Sequence, residues 1–246
     1  NGPVSFDNMK RFSKWAGELG FEYNLVDAGW SNWEGQGRDS WDMIRELVDY
    51  SAPLGVKIWV WKAYPDDRGV DGIQTPERLQ AFLKKCKETG VAGVKIDYFY
   101  DESQQVVRFY EDALKEAAKY QLMVDFHGAD KPTGLNRTFP NELTREGIRG
   151  LEIRGPWATH NTILPFTRYL AGPADFTPVT FSPKRLSETS WCHQVATAVI
   201  FTSPFLCYGV DPEQLLANPA CDMVKSIPAV WDETIVLPGS EIGQMA

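Results

Sequence analysis

The chain reads as an α/β protein, a (β/α)8 barrel lacking its first strand. Three observations predict this. Short apolar runs rich in Val, Ile and Trp alternate with amphipathic stretches of helical period. The apolar runs are near-continuous, as in parallel strands covered on both faces. The length of 246 residues suits one barrel, which takes about 250.

The elements follow in order. Residues 5–19 form a helix pattern, with Phe6, Met9, Phe12, Trp15 and Leu19 spaced by three or four and Gly20 as a stop. Residues 22–27 form a strand, 41–53 a helix with Gly55 beyond it, and 56–61 (VKIWVW) a strand. A helix over 75–89 has Thr75 as its N-cap, Pro76 in its first turn and Gly90 after its end. A strand at 91–97, a long helix at 102–120 and a strand at 122–126 come next. Residues 128–146 form a connection rich in Gly, Pro and Asn, and connections of that length are commonly functional. Strands are expected at 148–153, 175–180 and 205–208, with helices at 162–170, 187–201 and 212–226.

This pattern holds seven strands and a leading helix with no strand before it. The sequence therefore predicts a fragment, with material missing upstream of Asn1. Residues 1–230 read as the barrel, and 231–246 (WDETIVLPGSEIGQMA) as the start of a truncated C-terminal β domain. The alternative is an open, doubly wound sheet, which usually carries a Gly-rich phosphate loop that this chain lacks.

Composition narrows the function. With 43% apolar and 24% charged residues the chain is globular rather than disordered. No apolar run has the length of about 18 residues that a spanning helix needs, which argues against an integral membrane protein. Lys plus Arg is 25 against 33 for Asp plus Glu, a net charge of −8 without a basic cluster, which argues against nucleic acid as a partner. The four cysteines, Cys86, Cys192, Cys207 and Cys221, form no CxxC pair and read as buried free thiols, with one disulfide as the alternative. Nine Trp suit core packing or stacking on sugars.

In such barrels the reacting groups stand at the C-terminal ends of the strands. Here those ends carry Asp27 and Trp30, Trp61 and Lys62, Asp97 and Tyr98, Asp125 and His127, Glu152 and Arg154, Asp175, and finally Tyr208 and Asp211. This is a ring of carboxylates with aromatic neighbours and no Ser/His/Asp order. Cleavage of a glycosidic bond needs one carboxylate to attack or to activate water and another to protonate the leaving oxygen. Asp97 and Glu152, on neighbouring parts of the barrel, could face one substrate. A strand-end acid has little packing purpose, so both read as functional. Asp27 reads either as a contact or as a turn cap, Lys62 as a contact or a solvated amine, and His127 as a contact or a structural histidine. Trp157, Trp191 and Trp231 are assigned to packing, and Glu102, Glu111, Lys115 and Glu116 to a solvated helix face.

The stretches LVDAGW, GVKIDYF, DFHGADKPTGLNRTFPNELTREGIRGLE, LPFTRYLAGPADFTP and WDETIVLPGSEIG resemble glycoside hydrolase family 97 across essentially the whole chain. The resemblance implies a three-part protein: an N-terminal β-sandwich, a catalytic (β/α)8 barrel and a C-terminal β domain, of which this chain is the barrel. It also implies a periplasmic or secreted bacterial protein acting on α-linked oligosaccharides or galactosides. The family's inverting α-glucosidases carry a Glu directly after the His of the fifth barrel strand and no acid at the end of the fourth. Its retaining α-galactosidases carry an Asp nucleophile at the end of the fourth. This sequence has Asp97 in Lys-Ile-Asp, and Gly128 after His127. The resemblance therefore implies a retaining α-galactosidase with Asp97 as nucleophile and Glu152 as general acid/base. It assigns Asp27, Trp30, Lys62 and His127 to the sugar, and the strand-end position of Trp61 adds that residue. It further implies one Ca²⁺, with Glu146 and Glu152 among its ligands and an incomplete shell in the fragment. The alternatives are an inverting α-glucosidase of the same family, a metal-dependent hydrolase, which would need a His pair, and a sugar-binding fragment without turnover.

Overall fold

The computed structural model describes residues 4–246 apart from Gln36 and Arg68. The chain divides into two compact units, Asn1–Ala129 with Asn136–Glu142, and Asp130–Leu135 with Leu143–Ala246.

The first unit is a run of β-α repeats. Its strands are β1 (Tyr23–Val26), β2 (Lys57–Ala63), β3 (Gly93–Asp97) and β4 (Met123–Phe126), and β5 (Glu142–Arg145) starts at its last residue. The strand order is sequential, β1-β2-β3-β4-β5, and the three ladders among the first four strands are parallel. The helices are α1 (Phe6–Leu19), α2 (Ser40–Ser51), α3 (Pro76–Thr89) and α4 (Gln104–Lys119). The expected capping is present on α3. The Thr75 side chain accepts from the Arg78 N–H, Pro76 opens the helix, and Gly90 closes it in left-handed conformation (φ 91°). On α4, Lys115 pairs with Glu111 and Lys119 with Glu116; Lys115 is exposed as expected, Glu111 is half-exposed, and Glu116 is only 15% exposed.

Strand parity decides what faces what. Trp61 is in register with Lys95, and Ala63 with Asp97, so these side chains share one face of the sheet. Ile58, Val60, Lys62, Val94 and Ile96 have the opposite parity. Val60, Val94 and Ile96 pack with no exposure at all. Gly93 is fixed by close approach: a Cβ there would lie 2.4 Å from the Trp59 ring, its register partner.

The second unit carries α5 (Trp157–Ile163), α6 (Pro183–Leu186), α7 (Trp191–Ile200), α8 (Pro212–Leu216) and α9 (Cys221–Ser226) around a core of Leu151, Trp157, Leu164, Phe176 and Phe201. The expected helix at 162–170 begins earlier and ends at Ile163, where Pro165 forces a tighter turn. The expected helix at 212–226 is broken in two around Pro219. Residues 231–246 belong to this unit, with Ile235, Val236 and Leu237 exposed.

Strand positions differ from expectation here. The strand that follows β4 is β5, inside the stretch read as a loop, and residues 148–153, 175–180 and 205–208 form no ladder among the described residues. Single backbone bonds link the segments: Asp175 N–H to Arg145, Leu151 N–H to Phe176 and Gly209 N–H to Pro178. Thr177 (φ 55°) and Val179 (φ 71°) interrupt the extended backbone, and β-branched residues in that region end a ladder. Glu152 thus stands on a loop well past β5 rather than at a strand end.

Among the tryptophans assigned to packing, Trp157 is buried. Trp191 (50% exposed) and Trp231 (39%) are not, a correction with a simple cause: Trp191 opens α7 and Trp231 lies in the exposed tail. All four cysteines are free, and burial pushes the Cys86 thiol well up.

Candidate active site

Asp97 closes β3, whose five residues are all buried. Its carboxylate takes two N–H donors. Oδ1 accepts from the Tyr98 backbone at 2.6 Å, and Oδ2 accepts from the Trp61 indole at 2.8 Å. A carboxylate held this way serves as an acceptor on both oxygens. The backbone of Tyr98 is left-handed (φ 70°), unusual for a bulky residue, and such strain concentrates at working sites. The Tyr98 ring meets the Trp61 ring edge-on at 5.4 Å and stacks on Tyr100.

Trp61 is itself held. Its carbonyl accepts from the Trp30 indole at 2.8 Å, and the Trp30 ring packs edge-on against Trp41. Trp30 and Trp61 are 3% and 2% exposed, so both indole N–H groups serve the protein and neither ring offers an open face. The expectation of two stacking platforms is thereby replaced by a relay, Trp30 to Trp61 to Asp97.

Asp27 combines two roles. Oδ1 accepts from the Ala28 N–H at 2.6 Å, the turn-capping reading, while Oδ2 pairs with the buried Lys95 ammonium at 3.3 Å. Its side chain remains 45% exposed, leaving it open to a ligand. Lys62 departs from the expected sugar contact. It has the opposite parity to Trp61 and Ala63, and its ammonium lies 5.9 Å from the centroid of Phe82 on α3. Burial there pulls its pKa down. His127 is buried, and its backbone N–H extends the β3–β4 pairing by donating to Ile96. Asp125 is fully buried and brings a carboxylate oxygen within 4.8 Å of a ring nitrogen of His127.

Gly128 is hemmed in. It has φ 60°, and a Cβ on it would lie 3.1 Å from Asp97 Oδ1 and 3.2 Å from the Tyr98 nitrogen. A side chain there would be strained by the left-handed backbone and would need Asp97 or Tyr98 to give by a few tenths of an ångström.

In the second unit, Glu146 and Glu152 bring carboxylate oxygens within 4.8 Å of one another. Glu146 is half-buried and Glu152 exposed. Two carboxylates this close form a hard-oxygen donor set of the kind Ca²⁺ takes. The loop bearing Glu146 is pinned by Arg168, whose guanidinium donates to the carbonyls of Arg145, Glu146, Gly147, Gly172 and Pro173. Burial lowers the Arg168 pKa. Arg145, buried, pairs with Asp130 at 2.9 Å.

Sequence reasoning gave no role to Lys95 or Arg168, and counted Tyr98 among the strand-end aromatics without its strained backbone. Lys95 had a signal, since it stands two residues before Asp97 in a strand and must share its face. Tyr98 and Arg168 had none, because strain and carbonyl clamping are not written in residue type.

The family model described as Glycoside hydrolase 97 matches residues 2–148. A "Probable retaining alpha-galactosidase" of Streptomyces bingchenggensis is 36% identical over 245 residues, covering 96% of this chain and 37% of that protein. A "Retaining alpha-galactosidase" of Bacteroides thetaiotaomicron is 32% identical, covering 96% of this chain and 38% of that protein. The chain thus spans just over a third of the length of these curated relatives. Among solved structures, a β-arabinopyranosidase superposes with a TM-score of 0.80 at 26% identity, covering 94% of this chain and 40% of that one. A family 97 enzyme from Pseudoalteromonas sp. strain K8, in complex with acarbose, superposes with 0.81 at 26% identity, covering 98% and 42%.

Proposed function

The chain belongs to glycoside hydrolase family 97, and we propose that the protein it is part of is a retaining α-galactosidase acting by double displacement. The observation that carries this reading is the seat of Asp97: a buried carboxylate at the C-terminal end of a parallel strand, held by two N–H donors, beside a left-handed glycine. By the resemblance, an inverting enzyme of the family would carry a glutamate at residue 128, where this chain has glycine.

In this mechanism Glu152 begins protonated and gives its proton to the glycosidic oxygen as Asp97 attacks the anomeric carbon. A β-linked glycosyl-enzyme results, and the aglycone leaves. Glu152, now ionised, takes a proton from water, and the water oxygen displaces Asp97. Two inversions restore the α configuration. The two carboxyls are expected about 5–5.5 Å apart in the full-length enzyme, the separation of a retaining pair. Asp27, with its exposed edge, and His127 are the sugar contacts we carry forward. The substrate is an α-linked galactoside or oligosaccharide, and the N-terminal β-sandwich and C-terminal β domain of the same protein complete the molecule.

Ca²⁺ fits the donor chemistry of Glu146 and Glu152. When bound, it would supply fixed positive charge next to the acid/base. Arg168 would keep the Glu146 backbone in place for it.

Asp97→Ala in the full-length protein tests the assignment. It should abolish turnover, and azide should restore part of it with β-galactosyl azide as product. Absence of azide rescue, with the variant folded, would sink the nucleophile assignment.

A further inference from the structure

We propose that Trp61 is a positioning residue whose indole N–H receives the negative charge returning to Asp97 when the glycosyl-enzyme breaks down. The inference rests on the retaining reading of Asp97 and goes beyond it, because it assigns one side chain to one half of the reaction.

Three observations carry it. The indole nitrogen lies 2.8 Å from Asp97 Oδ2, and both residues are buried. The strand register puts the two on one face of the sheet: Trp61 pairs with Lys95, and Asp97 pairs with Ala63, two residues beyond Trp61. The Trp61 ring is 2% exposed and meets the Tyr98 ring edge-on, and the residue's carbonyl is tied to Trp30. A ring so enclosed has an edge to offer to a carboxylate and no face to offer to a sugar.

The charge bookkeeping gives the donor its role. In the first step an Asp97 oxygen bonds to the anomeric carbon, the glycosidic C–O bond breaks, and the leaving oxygen takes a proton from the acid. Asp97 passes from anion to neutral ester. In the second step water bonds to the anomeric carbon, the ester C–O bond breaks, and its electron pair returns to Asp97 while the base takes the proton of water. An N–H donor binds a carboxylate more strongly than an ester. Removing it raises the free carboxylate and the first transition state together, so the first step changes little. The second step must rebuild the anion without its donor, and slows.

The test uses the full-length enzyme with 2,4-dinitrophenyl α-galactoside and two variants. Trp61→Phe removes the donor. Replacement of Trp61 by β-(3-benzothienyl)alanine removes the N–H while keeping the bicyclic shape, so packing loss and donor loss separate. Both should lower kcat by about 10- to 100-fold, the size of one charge-assisted hydrogen bond. KM should fall in parallel, so that kcat/KM stays within about 3-fold. A burst of dinitrophenolate should appear as glycosyl-enzyme accumulates. The proposal is overturned by a rise in KM at unchanged kcat, which would mark a sugar platform. It is equally overturned by a fall in kcat/KM without a burst, by unchanged kinetics, or by a benzothienyl variant that behaves as wild type. Wild-type product of inverted configuration would instead overturn the retaining reading, and this inference with it.

Discussion

The Cβ that any other residue would place at position 128 lies 3.1 Å from Oδ1 of Asp97. The two positions at which the resemblance expects the family's branches to differ therefore lie side by side. A strand-end aspartate at 97 and a side chain at 128 compete for one volume. Gly128→Ala should therefore act on both stability and activity. The left-handed backbone at Gly128 (φ 60°) costs a non-glycine residue about 1–2 kcal/mol. Urea unfolding should show a loss of at least that size, and kcat should fall as Asp97 is displaced. Unchanged kcat would mean that the clearance has no bearing on the reaction.

Lys62 is expected to be a bystander for the sugar. Its ammonium faces Phe82 on α3, on the opposite side of β2 from Trp61. Lys62→Met should leave KM for aryl galactosides within about 2-fold and keep the buried stem. A large rise in KM would return Lys62 to the substrate.

Arg168 should matter to stability and to the metal. Its guanidinium satisfies five carbonyls with no carboxylate partner among its hydrogen bonds. Arg168→Met removes the donor from four part-buried carbonyls, while that of Arg145 keeps the Asp175 N–H, and should cost about 3 kcal/mol. Hydrogen exchange should accelerate along residues 145–147. Calcium affinity, measured by calorimetry on the full-length protein, should drop with it. Unaltered exchange in that loop would contradict the clamp.

His193 sets an acid-side dependence. It is half-buried, with its Nε2 2.9 Å from the Asn161 amide, and burial lowers its pKa against a smaller opposing pull from Glu188. The unfolded chain therefore takes up this proton before the folded one does. Stability from this group is present above the unfolded value of about 6.5 and is lost as pH falls toward the lower folded value. Denaturant titrations from pH 7 to 5 should show a decline that His193→Gln reduces. An equal decline in both proteins would remove His193 as the cause.

The first unit was legible in the sequence because each β-α repeat carries its own punctuation. Thr75, Pro76 and Gly90 fix α3 from both ends, and the apolar run 56–61 can only be a buried strand. The second unit was less so. Apolar runs such as residues 148–153 look like strands locally, yet ladders fail where Thr177 and Val179 turn left-handed, which composition does not reveal. The site divides in the same way. Asp97 could be placed from strand period alone, whereas the bond from the Trp61 indole to Asp97 was not legible, because a strand-end tryptophan looks the same in sequence whether it shows its face or spends its edge. Lys62 takes the opposite face of β2 from Trp61, which a parity count against Asp97 would have shown.

The most direct test of the central claim is the anomeric configuration of the first-formed product. Proton NMR of the full-length protein hydrolysing an aryl α-galactoside should show the α-galactose H1 signal first, with the β signal growing only as mutarotation proceeds. The β anomer appearing first would mean single displacement, and would remove Asp97 from the role of nucleophile.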